Sequence, residues 1–224
     1  MKDDLLNRML LAGLLVLATC TVGAGSESEL IAILKSDAGV AAKCAACQQL
    51  RIYGTAECVP ALGALLGNER VGHAARYALE GMPYAEAGAA LREALGRTFG
   101  AIKAGLIDSI GARRDAAATP LLVPLLGDAD TTLAIAAASA LGGIGDEAAV
   151  AALSAACDRQ NPDIRNAVLE ALLRCAESRL CQGDESAAAT IYRKVLEADP
   201  TSTVRSAAWR GVVLSDADQR TELV

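Results

Sequence analysis

The feature that most constrains this chain is an internal repeat with a period of about thirty residues. Four similar segments begin at Thr55, Tyr84, Asp115 and Asp146, so their spacing is 29, 31 and 31 residues. The eighth position of every segment is a leucine, namely Leu62, Leu91, Leu122 and Leu153. The twelfth position is also apolar, and an apolar pair four residues apart marks the buried stripe of a helix. A period of this length is typical of stacked helical units, because each unit needs its neighbours to bury its apolar face.

The ends of these segments carry helix-boundary signals. Thr55, Asp115 and Asp146 are predicted N-caps, because a side-chain oxygen can accept a hydrogen bond from a free amide of the first turn. Pro60 and Pro120 share one repeat position near the helix start, where a missing amide matters least. Glycines follow three of the segments and predict left-handed C-caps at Gly67, Gly96 and Gly127. Each segment therefore predicts one short helix.

A second helical segment precedes each of these, so the unit is predicted to be a helical hairpin. These first helices are predicted at Ala41–Tyr53, Val71–Gly81, Phe99–Ile110 and Leu133–Ile144. Three of them are predicted to close at Gly54, Gly111 and Gly145. A fifth unit spans Asn161 to Ala198, and a sixth begins at Pro200.

The composition agrees with helices packed through small side chains. Hydrophobic residues make up 53% of the chain but aromatic residues only 3%, so aliphatic side chains must form the core. The chain is predicted to be all-α, an α-α superhelix of about five to six helical hairpins over residues 29–224. Few residues follow Leu214, which leaves room for only part of a further helix, so this array is expected to be truncated at its C-terminal end.

The N-terminal segment predicts export. Lys2 and Arg8 stand at the start, an apolar run follows, and small residues lead to Ala24; this is the layout of a secretory signal over residues 1–24. A second interpretation is lipidation at Cys20, because the residues before it resemble a bacterial lipobox. An uncleaved anchor helix is a third. The predicted location is the periplasm or cell envelope, with a membrane reached only through this segment.

The fifth and sixth units carry a motif of a known family. The first helix of a HEAT repeat opens with Asp-x-x-Val-Arg-x-x-Ala, and Asn161–Ala167 and Pro200–Ala208 resemble it. Together with the period, this makes residues 29–224 similar to secreted bacterial HEAT-repeat proteins. The resemblance implies a non-enzymatic scaffold of the bacterial cell envelope that binds a protein or peptide on the concave face, where the second helices lie. An accessory repeat module of a larger exported enzyme, or a lyase-like HEAT protein that handles a bilin, are the alternatives.

Solvent-facing positions of the second helices give the candidate binding surface. These are Glu57, Glu86, Arg92 and Glu93, with Glu147 and Arg193 at comparable positions. They are mixed in sign and lack an aromatic cluster, so no binding hot spot stands out. Arg113 and Arg114, in the turn after Gly111, are the local exception and are also candidate binding residues. Arg165 and Arg205 are interpreted as a structural ladder that pairs with aspartates of adjacent units.

The residues do not indicate a catalytic or metal site, and no cofactor is predicted. His73 is the only histidine, and neither a nucleophile nor a repeated His-Glu pair accompanies it. The pair Cys44 and Cys47 lacks the following histidine of a haem motif and a second pair that zinc would need. A disulfide between Cys175 and Cys181 is the favoured pairing if one forms. The formal net charge of −6 argues against sequence-blind binding of nucleic acid.

Overall fold

The computed structural model describes residues 26–158, 161–198 and 200–215, and every regular element in these ranges is helical. Within these ranges, no helix combines the length and the apolar character that a bilayer span requires. The predicted signal over residues 1–24, including Cys20, and the chain end after Ser215 lie outside the described residues.

A leading helix and five hairpins follow one another, and one further helix closes the described chain. The leading helix is α1 (Glu27–Lys35). Unit 1 contains α2 (Val40–Tyr53), a 3-10 turn (Ala56–Cys58) and α3 (Val59–Gly63). Unit 2 contains α4 (Gly72–Gly81) and α5 (Ala85–Leu95). Unit 3 contains α6 (Gly100–Ala112), a 3-10 turn (Ala116–Ala118), α7 (Thr119–Leu122) and a 3-10 segment (Val123–Gly127). Unit 4 contains α8 (Thr131–Ile144) and α9 (Glu147–Ala155), and unit 5 contains α10 (Pro162–Cys181) and α11 (Glu185–Glu197). The sixth unit begins with α12 (Ser202–Ser215).

The even-numbered helices are therefore the first helices of the units, and the odd-numbered helices from α3 onward are the second helices. The predicted first helices agree with the structure to within two residues at their ends. First helices of successive units pack side by side along the whole described chain. The predicted all-helical array of hairpins is confirmed.

The second helices of units 1 and 3 are shorter than predicted. In unit 3, Pro124 has no amide to bond to the carbonyl four residues earlier, so the helix that starts at Thr119 gives way to a 3-10 segment at Val123. In unit 1 the α-helix ends at Gly63, and the amides of Leu65 and Leu66 bond to the carbonyl of the third residue back. These two segments are turns of mixed type, where the sequence predicted continuous helices.

Two of the three predicted N-caps are confirmed. The Thr55 hydroxyl accepts a hydrogen bond from the amide two residues on, at 3.2 Å. The Asp146 carboxylate accepts one from the amide three residues on, at 2.7 Å. The prediction for Asp115 is wrong, because its carboxylate pairs with the Arg92 guanidinium and makes no cap hydrogen bond.

Most of the glycines that adopt a left-handed conformation are not the ones that the sequence predicted. Among the described residues, the glycines with positive φ are Gly100, Gly145 and Gly183. The prediction for Gly67, Gly96 and Gly127 is wrong, because tight turns with bonds to the third residue back close the second helices there. Gly145 closes α8 with φ 66°, as predicted, whereas Gly111 lies inside α6 and is not a cap.

One continuous hydrophobic core runs through all the units. A fully buried aliphatic residue recurs at the same place in five first helices, and we call this set the core ladder: Leu50, Leu79, Ile110, Leu141 and Leu172. Truncating such a side chain to alanine typically costs about 2–5 kcal/mol. Because the ladder fixes how each first helix is aligned with the next, it also decides which residues meet at each seam between units.

Candidate interaction surface

The position directly after the core-ladder residue is glycine in units 3 and 4, and three first helices come into backbone contact there. A Cβ atom on Gly111 would lie 2.7 Å from the Cα atom of Ala140 in α8. A Cβ atom on Gly142 would lie 2.8 Å from the Cα atom of Ala171 in α10. These distances are too short for any side chain, so only glycine fits at either position. The helices α6, α8 and α10 therefore approach backbone to backbone at these two points, with only the methyl groups of Ala140 and Ala171 beside the glycines.

The seams nearer the N-terminus use side chains instead. The Arg76 Nη1 atom donates a hydrogen bond to Ser109 Oγ at 2.6 Å, and Ser109 Oγ donates to Glu80 Oε2 at 2.6 Å. The Arg51 guanidinium lies over the Tyr77 ring, 4.1 Å from its centroid. Side chains on neighbouring first helices thus bridge these seams.

A groove opens on the solvent side of α6, α8 and α10, where small residues leave the surface low. It consists of two adjoining clefts of about 450 Å³ each. Both clefts are lined by Arg114, Gly143 and Arg174. The first cleft adds Asp108, Gly111, Ala112, Ser139 and Ala140, and the second adds Gly142, Gly145, Glu177, Ser178, Cys181 and Gln182. We call this continuous surface the first-helix groove.

Arg114, the adjacent candidate binding residue from the sequence, lies in the turn after α6 and lines both clefts. Its φ is 51°, and it is the only non-glycine residue with positive φ in the described chain. Gly145 occupies the same place relative to the core ladder in unit 4, with φ 66°. The Arg114 side chain is exposed, and its guanidinium makes no hydrogen bond or ion pair with any described residue.

Arg174 is the second cation of the groove and is held in place. Its Nη2 atom donates to the Ser139 carbonyl at 3.2 Å and to Ser139 Oγ at 3.3 Å. One turn further along α10, Arg179 Nη2 donates to the Gly145 carbonyl at 3.4 Å. These bonds link units 4 and 5 and fix the wall of the groove that α10 forms.

Acidic residues lie on either side of the two arginines. Asp108 lines only the first cleft and Glu177 only the second. Desolvation raises the pKa of the Asp108 carboxyl; the nearby Arg76 opposes this rise and Glu80 adds to it. The groove is therefore positive at its centre and negative towards both ends.

Arg113, a candidate binding residue from the sequence, is bonded within the chain and has a structural role. Its guanidinium reaches back one unit and caps the C-terminal end of α4. The Nη1 atom donates to the carbonyls of Leu79 at 2.7 Å and Glu80 at 3.1 Å, and also to that of Met82. The Nη2 atom donates to the Tyr84 carbonyl at 3.0 Å. These bonds satisfy carbonyls that the end of a helix leaves without intrahelical partners.

The other candidate binding residues do not line the first-helix groove. Glu57, Glu86 and Glu93 are exposed on the second-helix side, as predicted, and Glu93 accepts a hydrogen bond from Arg97 at 2.6 Å. Arg92 is half-buried in its pair with Asp115, which joins units 2 and 3. That aspartate lies 23 residues further along the chain, so helical spacing alone could not reveal it.

A smaller cleft of about 360 Å³ lies between α9 and α11, and Glu147 is among its lining residues. Arg193 is exposed on α11. Arg205, which was predicted to pair with an aspartate of an adjacent unit, donates to the Pro200 carbonyl in its own unit, at 3.1 Å. Other arginines, among them Arg76, Arg92, Arg113, Arg174 and Arg179, do make contacts across the seams.

The predicted disulfide between Cys175 and Cys181 is not formed, and both are free thiols. They lie six residues apart on α10, so their Cα atoms are separated by about 9 Å along the helix axis, beyond the reach of a disulfide. Burial raises the pKa of Cys47, Cys58 and Cys175 to about 11, so these thiols are protonated at neutral pH. Within the described ranges, no cluster of three or more potential metal ligands occurs.

Sequence reasoning missed most of the groove, including Ser139, Gly143 and Arg174. One signal was available: Gly111 and Gly142 are 31 residues apart, the same as the repeat spacing. Two glycines at one repeat position indicate a close approach of backbones, and a close approach leaves an open surface beside it. The serine and arginine carried no comparable signal.

Comparisons with known proteins support one family. A family profile described as HEAT repeats matches residues 90–173, which run from α5 into α10 and include both glycine seams. The match supports the HEAT-repeat family, and the helical pairs form an α-α superhelix as predicted. No curated protein matches the chain. Among solved structures, the crystal structure of an engineered protein is similar, with 21% identity, a TM-score of 0.48, and coverage of 85% of this chain and 96% of that chain.

Proposed function

We propose that this chain is a non-enzymatic scaffold that binds a segment of another protein in the first-helix groove. The observation that carries the proposal is the continuity of the groove, whose two clefts share three lining residues and form one surface across units 3, 4 and 5. HEAT repeats generally mediate protein–protein interaction, which supports a protein as the partner.

The dimensions of the groove suit an extended segment. Packed helices lie about 8–10 Å apart, so a groove across three of them extends over roughly 20 Å. An extended chain rises about 3.3 Å per residue, so about six residues would fill it. Glycine and alanine form the floor, which allows the backbone of a bound segment to approach closely.

Two observations favour this surface over the second-helix surface that the sequence suggested. Of the two arginines expected there, Arg92 is committed to its pair with Asp115. The cleft between α9 and α11 is also smaller than either cleft of the first-helix groove. Glu57, Glu86 and Glu93 remain exposed and form the alternative surface.

The test compares two alanine-to-tryptophan variants. Ala112 is exposed in the first-helix groove, and Ala151 is exposed in the cleft between α9 and α11. A library of ten-residue peptides, each joined to a linker at both ends, is selected for binding to the full chain. The affinity of the selected peptides for both variants is then measured. We expect Ala112→Trp to weaken binding at least tenfold and Ala151→Trp to leave it unchanged. The reverse pattern would overturn the proposal and assign binding to the second-helix surface.

We also propose that the scaffold acts in the bacterial cell envelope, which residues 1–24 support through their signal-like layout. Mass spectrometry of the protein expressed with its own N-terminus distinguishes cleavage after Ala24 from a lipid on Cys20. An intact N-terminus recovered only from the cytoplasm would contradict an envelope location. A catalytic domain in the same reading frame would make the scaffold an accessory module of an exported enzyme.

A further inference from the structure

Arg114 combines three features that packing alone does not explain. It holds a backbone conformation that side chains other than glycine rarely adopt, with φ 51°. The same place in unit 4 is occupied by Gly145, which takes this conformation without steric cost. Its guanidinium makes no hydrogen bond or ion pair in the described chain, in contrast to the adjacent Arg113. The conformation costs free energy that no described contact of the side chain offsets.

The free guanidinium lies at the centre of the first-helix groove. Both clefts include Arg114 in their walls, and the floor beside it is Gly143. The second cation, Arg174, is already bonded to Ser139, so it is less available to a ligand. Arg114 is therefore the arginine of the groove whose guanidinium has no protein partner in the described chain, with five N–H bonds to offer.

Charge decides what a bound segment must carry at each place. The centre, at Arg114 and Arg174, is positive, whereas Asp108 at one end and Glu177 at the other are negative. A planar guanidinium binds a carboxylate through two parallel hydrogen bonds, which an amide or hydroxyl cannot match. Acidic groups at the ends disfavour further carboxylates there and favour lysine or arginine.

We propose that Arg114 anchors an internal aspartate or glutamate of an extended protein segment, and that basic residues flank this acidic residue on both sides. The inference rests on the proposed function, because it names the chemistry of the segment bound in the same groove. The groove continues past Arg114 in both directions, so a segment passes through and its terminal carboxylate is not the anchor.

The test repeats the peptide selection on three full-length chains: wild type, Arg114→Gly and Arg114→Glu. Arg114→Gly keeps the fold, because glycine adopts the required conformation without strain. Wild type should select one acidic position with lysine or arginine on both sides. Arg114→Glu should select a basic residue at that position, and Arg114→Gly should show no charge preference there.

A selected peptide with blocked ends then gives the size of the effect. We expect Arg114→Gly to weaken its binding at least tenfold, and replacing its acidic residue by the matching amide to do the same in wild type. In Arg114→Gly the amide replacement should have no further effect, because the pair is already broken. The same peptide with a free C-terminal carboxylate should bind no more tightly than the peptide with blocked ends.

The outcomes separate the two proposals. If all three chains select the same peptides, and these bind less tightly to Ala112→Trp, the groove binds peptides but the role of Arg114 is overturned. If Ala112→Trp does not weaken binding, or wild type selects no peptide, the proposed function is overturned and this inference with it.

Discussion

The seam between units 2 and 3 differs from the seams that join units 3, 4 and 5, although the same kind of helix pair meets in each. Between α4 and α6, the contact is a hydrogen-bonded chain of Arg76, Ser109 and Glu80. Between α6, α8 and α10, the backbones touch at Gly111 and Gly142. Glu80 and Gly111 both directly follow the core ladder, so the residue at one repeat position distinguishes the polar seam from the seams where backbones touch at a glycine, which we call dry seams.

The difference teaches where a binding surface can arise in such an array. The polar seam has side chains around the position directly after the ladder, whereas a dry seam has glycine at that position and leaves the space beside it open. The first-helix groove lies along the two dry seams. Substitutions at the two kinds of seam should therefore differ in how much they change stability.

Adding volume to a dry seam should have the largest effect. Gly142→Val places a branched side chain where even a Cβ atom would meet the backbone of Ala171. We expect a loss of about 3 kcal/mol in the free energy of unfolding, measured by urea denaturation followed by circular dichroism. Gly67→Val is the control, because no atom lies within 4 Å of a Cβ at Gly67. Equal losses in the two variants would show that the dry seam has no special intolerance.

Removing the side chain that caps α4 should have the next largest effect. Arg113→Ala takes the donor from the carbonyls of Leu79, Glu80 and Tyr84. We expect a loss of about 2 kcal/mol, because part-buried carbonyls then lack a partner. Lysine should restore less than half, since one ammonium cannot span these acceptors. The matched control is Arg114→Ala, and a similar loss there would contradict the assigned role of Arg113.

Arg114 and Gly145 occupy equivalent positions with positive φ, and substitutions there should change the free energy of unfolding less and in opposite directions. Arg114→Gly should raise the free energy of unfolding by about 0.5–1 kcal/mol, because it relieves a conformation that costs about 1–2 kcal/mol and adds flexibility to the unfolded chain. Gly145→Ala should lower it by about 1 kcal/mol. Chemical denaturation of both variants measures the pair, and a loss of stability in Arg114→Gly would argue against strain at this site.

The smallest effect concerns Asp108, where the polar seam meets the groove. Desolvation raises its pKa in the folded chain, so its protonated form is favoured there. The stability that protonation provides is complete below the unfolded-state pKa and is lost as pH rises through the folded-state pKa. Asp108→Asn should therefore be slightly more stable than wild type at pH 7, with no difference at strongly acidic pH. Thermal melts across this range measure the difference.

Asp115→Asn provides a contrast at neutral pH, because it removes the carboxylate that pairs with Arg92. We expect this variant to be less stable than wild type at pH 7. A gain from Asp115→Asn, or a loss from Asp108→Asn, would contradict the two assignments.

The sequence predicted the hairpins well because their signal is periodic and local. An apolar residue such as Leu62 or Leu91 recurs in every unit, and this recurrence alone indicates helices that stack in chain order. The break at Pro124 was also readable, since proline removes a helical amide wherever it stands. The pattern that predicted a helix there did not take this second proline into account.

The contacts across seams could not be predicted in the same way. Arg113 and Arg114 are adjacent and chemically identical, yet one caps a helix in the preceding unit and the other points into an open groove. The direction of the backbone at the end of α6 decides which role each arginine has, and the spacing of residues in the sequence does not predict that direction. The prediction that Asp115 caps a helix failed for a similar reason. Its partner, Arg92, lies in another unit, and the local sequence around Asp115 does not indicate this pair.

The touching backbones at Gly111 and Gly142 also have a mechanical consequence. A contact between a glycine and an alanine has no rotamer that can adjust, so a push on α8 should carry α6 and α10 along as a stiff plate. The joint between α4 and α6, made of side chains that can turn, is the compliant point. Tension on the array should therefore bend it at Ser109 while the groove keeps its shape.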